Sequence, residues 1–368
     1  MSAQQAKSQT QFEATFVPAE VVETVDATDA LLFEDERRLQ EQVRHFVAFA
    51  SRNEPTLAAQ LRPILNVSGK RVRPLFPFWL LRAVGAEQDA AKVDAIARVA
   101  AVTLVLHSAA IVIDDIEDES VERQSQASLH VRNGIGPTLN SASYLIFAAL
   151  EYLGHDAELL KLTVEAVARC HEGQALDLAF GDPQVAGRLF AASADEREQR
   201  WVTCTRFKTS MLMELSVRSA AHILGLPTSQ VEEIAAAIVE YGIGYQILDD
   251  VKNFRPDLLG KKAYEDLPRG LRNWVCLELI RTLSREDRYY ARTIYGSDVF
   301  STFVRMHPGL AAAKERATSD GKACMVSAQR LLLTATGGKH LEYLGRLFGR
   351  PIEDLAGDVD AQGEDAHA

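Results

Sequence analysis

Asp114, Asp115 and Asp118 close the fifteen-residue apolar run Val99–Ile113, and little else in the chain restricts its fold as tightly. On a helix Asp114 and Asp118 are i and i+4, on one face about 6 Å apart, with Asp115 beside them. Like charges at that spacing repel, so a helix that keeps them at the end of its apolar segment suggests a bound cation. Oxygen ligands of this kind suit Mg²⁺, which often shares them with a substrate phosphate. One such cluster alone reads as an acidic helix end meeting water.

A second cluster changes that reading. Asp249 and Asp250 stand 135 positions later, again at the end of an apolar helical stretch, Ile234–Leu248, with Asn253 where a third carboxylate would fall. Two acidic stripes facing one another across a helical cavity would clamp a diphosphate through metal ions. Since both must border the same cavity, the 368 residues read as one large helical domain, although length alone suggests about two.

The rest of the pattern agrees. Leu31, Phe33, Leu39, Val43, Phe46, Val47 and Ala50 recur at helical spacing, and further helical segments follow, including Leu75–Val84, Ala90–Ile116, Leu159–Leu178 and Trp201–Leu224, with no strand-like alternation. Breaks fall at Asn133–Pro137, Gly181–Pro183, Gly225–Pro227 and Gly337–Gly338. The expected fold is all-α: a bundle over residues 28–356 around a central apolar cavity, with residues 1–27 and the acidic residues 357–368 as disordered tails.

A net charge of −11, without a basic face carrying aromatics, excludes a nucleic-acid binder. The cysteines, Cys170, Cys204, Cys276 and Cys324, lack zinc-site spacing and read as reduced thiols of a cytoplasmic protein. The fifteen-residue apolar run is too short to span a bilayer and reads as a buried helix. The N-terminus has no apolar signal-peptide core.

Local cations accompany the acids. Lys70 and Arg73, in Gly69-Lys70-Arg71-Val72-Arg73-Pro74, are i and i+3, and an ammonium with a guanidinium fork suits phosphate oxygens. His107 lies two helical turns before Asp114, on the same stripe. With both acid clusters, these residues resemble the trans-isoprenyl diphosphate synthases, the polyprenyl synthetase family. The resemblance runs as ordered motifs over roughly 200 residues, from Gly69 to Leu271.

The resemblance implies roles. Lys70, Arg73 and His107 would hold isopentenyl diphosphate, and Arg123 the allylic diphosphate. Gln174 and Asp177, in Glu172–Leu178, would support the metal-diphosphate site. Lys208 and Lys261 would contact diphosphate. The Lys208 carbonyl, the Thr209 hydroxyl and Gln246 would face the developing carbocation; amide and hydroxyl oxygens stabilise a cation without capturing it. Mg²⁺ would be held by Asp114, Asp115, Asp118, Asp177, Asp249, Asp250 and Asn253. A homodimer is expected by the same analogy. Ala109 and Ala110, where bulky residues act as a floor in this family, leave room for a product of twenty carbons or longer.

The chain also departs from the pattern. Gln124 replaces a second arginine after Arg123, and Leu271, followed by Arg272, replaces a loop lysine. Those losses motivate two other readings: a terpene cyclase or a prenyltransferase to another acceptor on the same fold, and a non-catalytic regulatory subunit of an active synthase. Retained Lys70, Arg73 and His107 favour condensation, since a cyclase needs no second diphosphate.

Overall fold

The computed structural model describes residues 27–347 apart from 66–71, 124–125, 265–266 and 338. Residues 1–26 and 357–368 of the expected tails, with Lys70 and Gln124, lie outside these residues, as does the side chain of Lys261, while Ala27 already belongs to a helix. The described chain is helical almost throughout, as read from the sequence. It begins α1 (Ala27–Ala50), α2 (Leu57–Leu65), α3 (Val72–Ala83) and α4 (Ala90–Glu117). Pro74 sits in the first turn of α3, where its missing N–H costs no helical hydrogen bond. Asp89 caps α4 by accepting from the Ala91 and Lys92 amides.

A hairpin follows α4. β1 (Glu122–Arg123) and β2 (Gln126–Ala127) pair antiparallel, Arg123 opposite Gln126. Two-residue strands are too short to leave the alternation that would mark them in a sequence. The chain continues through α5 (Leu129–Asn133), α6 (Ile135–Tyr152), α7 (Ala157–Ala179), α8 (Pro183–Ala191) and α9 (Ala194–Thr205).

The stretch expected as one helix from Trp201 to Leu224 is interrupted. A π-helical turn, Arg206–Ser210, separates α9 from α10 (Met211–Leu224). Its neighbours press close: a Cβ on Gly173 of α7 would stand 2.6 Å from the Lys208 amide nitrogen. One on Gly242, on the next long helix α11 (Thr228–Lys252), would meet the Ser210 hydroxyl at 2.0 Å. Only glycine lets two helices lie against the wide turn at this range.

After α11 come α12 (Pro256–Leu259), a 3₁₀ turn at Gly260–Lys262 and an irregular 3₁₀ segment, Leu267–Arg272. Then follow α13 (Trp274–Thr282), α14 (Arg285–Ile294), α15 (Asp298–Met306), α16 (Leu310–Thr336) and α17 (Leu341–Leu347). α11 and α16 cross at Gly244 and Gly321, where a Cβ on Gly244 would lie 2.9 Å from the Gly321 carbonyl.

Three apolar clusters fill the interior. One joins Phe76, Trp79, Ile234, Ile238 and Met325. A second gathers Phe46, Leu61, Val105, Leu145 and Leu212, and a third Phe190, Trp201, Trp274 and Phe300. α4 contributes to the first two. At 28 residues it is longer than the apolar run within it, and among the described residues it alone is long and apolar enough to cross a membrane. Yet 72% of its most apolar window is buried inside the protein, which makes it a core helix here.

Gly173→Ala should therefore lower stability by about 1–3 kcal/mol, the usual range for overpacking. Thermal or urea unfolding measures it; an unchanged midpoint would show that the π turn yields freely.

Candidate active site

Both α4 and α11 end in carboxylates, which is the wrong end for them. A helix C-terminus carries the negative pole of the backbone dipole, so acids there are disfavoured unless cations balance them. A cavity of about 490 Å³ opens beside both ends. Its lining includes Arg73 from α3, His107, Asp114 and Asp118 from the α4 region, Arg123, Gln174 and Asp177 from α7, Lys208 and Thr209 from the π turn, and Gln246, Asp249 and Asp250 from α11. Part of the wall is apolar, with Leu106, Ala110, Ile146, Val167 and Leu212. Asp115 and Asn253 are not among the lining residues.

The adjacent aspartates in each cluster diverge. Asp115 is buried at 4% exposure and takes the Arg123 guanidinium, Nε at 2.9 Å and Nη2 closer still. Asp250 is buried at 3% and accepts from the Trp274 amide at 2.6 Å and the Gln246 amide nitrogen at 3.1 Å. Asp114 and Asp249 remain more open, with side-chain exposures of 25% and 48%. A 100° rotation per residue turns one aspartate of each pair outward and its neighbour inward. Asn253 caps α11, its carbonyl accepting from the Tyr264 amide at 2.8 Å.

Cations interleave with these acids. The Lys208 ammonium donates to Asp114 at 2.9 Å and to Asp177 at 2.7 Å, and these two carboxylates raise its pKa against the opposing effect of burial. Arg269 donates to Asp118 at 2.9 Å. Arg272 reaches Asp177 at 3.4 Å and Asp118 at 3.8 Å. Leu271, the residue standing in the place of a loop lysine, is buried in the apolar interior; Arg272 reaches the site instead. Arg269 escaped the sequence reading; its spacing of three from Arg272 was the available signal.

The π turn carries a second network. The Thr209 hydroxyl donates to the Gln246 carbonyl oxygen at 3.1 Å, and Gln246 in turn donates to Asp250, so the amide orientation is fixed. Arg73 donates to the Thr209 main-chain carbonyl at 3.2 Å and lies 3.3 Å from His107 Nε2. Burial, with the Arg73 and Arg123 charges nearby, lowers the His107 pKa to about 3, so the ring is neutral at ordinary pH. The Gln174 side-chain nitrogen, on the cavity wall, is a buried donor without an acceptor among the described residues.

Carboxylate oxygens of this number and hardness fit Mg²⁺ better than a softer metal. Among the described residues no three acidic, histidine or cysteine side chains already converge as a metal cage. The cause is visible in the pairs above, where the carboxylates of the first cluster turn toward lysine and arginine.

A helical fold with two acidic helix ends over one apolar hollow defines a recognisable class of protein. The sequence model of the polyprenyl synthetase family matches residues 54–302, and the chain belongs to that family. It is 28% identical over 236 residues to a geranylgeranyl pyrophosphate synthase of Gibberella zeae, covering 63% of this chain and 59% of that protein. It is 26% identical over 259 residues to a geranylfarnesyl diphosphate synthase of Aeropyrum pernix, 67% of this chain and 77% of the other. Several further curated relatives are matched over about half of their length. The crystal structure of geranylgeranyl pyrophosphate synthetase from Pyrococcus horikoshii shares the fold, with a TM-score of 0.70 at 20% identity over 87% of this chain and 98% of that one.

A neutral His107 carries a stability signature. Its pKa lies below the ordinary value of 6.5, so the unfolded chain binds more protons between pH 6.5 and about 3. The contribution is complete above pH 6.5 and is lost as pH falls, with a slope of up to about 1.4 kcal/mol per pH unit. His107→Gln should remove about one proton from the acid limb of a denaturant-measured stability profile; an unchanged slope would mean that the imidazole is accessible and charges freely.

Proposed function

We propose that the protein is a Mg²⁺-dependent prenyltransferase that condenses an allylic diphosphate with isopentenyl diphosphate, lengthening a trans-polyprenyl diphosphate by five carbons. The observation that carries this reading is the single cavity bordered by Asp114 and Asp118 on one side and Asp249 on the other, with an apolar wall beneath. The names of the relatives point the same way.

Mg²⁺ held by Asp114, Asp118 and Asp249 would neutralise the diphosphate that must leave. Lys208, Arg123 and Arg272 add positive charge at the same mouth. As the allylic C–O bond breaks, its electron pair departs on diphosphate and a carbocation remains. The Thr209 hydroxyl and Gln246 amide turn fixed dipoles toward it, and the wall of Leu106, Ile146, Val167 and Leu212 offers no nucleophile. The isopentenyl double bond attacks the cation, and loss of a proton restores the alkene. Arg73 and neutral His107, joined at 3.3 Å, suit the second diphosphate and favour condensation over cyclisation.

Ala110 lines the cavity, whereas Ala109 is fully buried in the core, so room for a long product rests on Ala110. This supports a product of twenty carbons or longer. We further propose a cytoplasmic homodimer. Free thiols at all four cysteines suit a reducing compartment, and Ile135, Leu139 and Phe147 on α6 and Val164 on α7 are exposed apolar side chains that a second copy would cover. Sedimentation at the mass of one chain would remove the dimer.

The test combines purified protein, Mg²⁺, allylic diphosphates of several lengths and labelled isopentenyl diphosphate, with both prenyl products and released diphosphate measured. Elongated diphosphates are expected; release without incorporation favours a cyclase or another acceptor, and silence on every substrate favours a regulatory subunit. Asp114→Ala and Asp249→Ala should each cut turnover by at least about 10²-fold while helicity is retained. Ala110→Phe should shorten the product by at least one isoprene unit. A fifteen-carbon product in wild type, unchanged in that variant, contradicts the chain-length reading.

A further inference from the structure

Four carboxylates meet four cations at the cavity mouth. Asp114 faces Lys208 and Arg123, Asp115 faces Arg123, Asp118 faces Arg269 and Arg272, and Asp177 faces Lys208 and Arg272. Glu117, Asp249 and Asp250 border the same cavity. A divalent ion added alone finds Asp118 already engaged on both oxygens, Oδ1 by Arg269 at 2.9 Å and Oδ2 by Arg272 at 3.8 Å. It would have to displace those cations to reach Asp118.

Two of the four cations arrive from far along the chain. Arg269 and Arg272 belong to the irregular segment Leu267–Arg272, whose helical course is broken at Arg269, with φ −106° and ψ 43°. The segment's backbone is well held: Leu267, Gly270 and Leu271 are buried, and the Trp201 indole donates to the Arg272 carbonyl at 2.9 Å. The side chains extend from this anchored base to Asp118 and Asp177. A guanidinium fork fits carboxylate and phosphate oxygens alike, so the heads can exchange one anion for the other without moving the base.

We propose that Arg269 and Arg272 are diphosphate-responsive counter-cations. Without a diphosphate they cap Asp118 and Asp177 and compete with divalent metal. With one bound, they pass to its oxygens and leave Asp118 to the metal. Metal and diphosphate then strengthen each other's binding, and by linkage the enhancement is equal in both directions. Position 124 is glutamine, and this chain supplies guanidinium groups from beyond the second acidic helix. The proposal rests on the assignment of this mouth to diphosphate.

The test measures Mn²⁺ binding to the full chain by electron paramagnetic resonance, alone and with inorganic pyrophosphate, after correction for Mn²⁺–pyrophosphate association in buffer. In wild type, pyrophosphate should tighten Mn²⁺ by about tenfold or more, within the usual range of coupling between sites. Arg269→Gln with Arg272→Gln should bind Mn²⁺ alone about fivefold more tightly than wild type, with the pyrophosphate enhancement reduced to about twofold. Arg269→Lys with Arg272→Lys, which keeps the charge, should restore the competition. Mn²⁺ affinity of the glutamine variant equal to or below that of wild type would overturn the proposal. If that double variant does not fold by circular dichroism, Arg269→Gln alone is judged by the same criterion. Failure here in a chain that still elongates prenyl diphosphates removes only this inference; a wild type with no prenyl-diphosphate chemistry removes the functional reading beneath it.

Discussion

The structure depends on keeping carboxylates where a helix least favours them. α4 and α11 both finish in aspartates at the negative end of the backbone dipole, beside an apolar hollow where charge is poorly solvated. Such an arrangement persists only if positive charge is brought to it. The fold does so from separate places: Lys208 from the π turn, Arg123 from the hairpin after α4, and Arg269 and Arg272 from the segment before α13. These groups tie together stretches of chain more than 150 residues apart, since Arg269 and Asp118 are separated by 151 positions. The electrostatic demand of the site is thus also a constraint on the fold around it.

Close backbone approach supplies the geometry. Gly173 and Gly242 let α7 and α11 lie against the π turn, so that Lys208 and Thr209 both border the cavity. π turns inside α-helices are frequent at functional sites because the wider turn re-aims side chains that regular geometry would carry elsewhere. Part of the cavity wall is aliphatic, and Ala110 belongs to it. The polar mouth and greasy interior therefore lie along one path, with fixed Thr209 and Gln246 dipoles between them.

Much of this was legible in the sequence. Long apolar-periodic helices such as α4, α7 and α11 announce themselves, and the two acid clusters at their ends identify the shared cavity. What escaped did so for physical reasons. α14, Arg-Glu-Asp-Arg-Tyr-Tyr-Ala-Arg-Thr-Ile, buries Ala291 and carries few aliphatic side chains, so no apolar run marks it. The π turn inserts no residue type of its own into the Trp201–Leu224 pattern. Spacing treats Asp114 and Asp115, or Asp249 and Asp250, as equivalent, whereas packing buries Asp115 on Arg123 and Asp250 on the Trp274 amide. Arg269 was missed because its partner, Asp118, lies 151 positions away in the chain, and spacing to Arg272 names no partner. Lys70, Lys261 and Gln124, all important to the sequence reading, have side chains outside the described residues.

The central claim is that both acidic helix ends serve one diphosphate through shared metal. Anomalous diffraction from crystals grown with Mn²⁺ and an uncleavable thio-linked allylic diphosphate tests it directly. The account predicts manganese contacting the diphosphate at both ends, with Asp114 or Asp118 among the ligands on one side and Asp249 on the other. Metal at one end alone, or a diphosphate seated away from both, would contradict it.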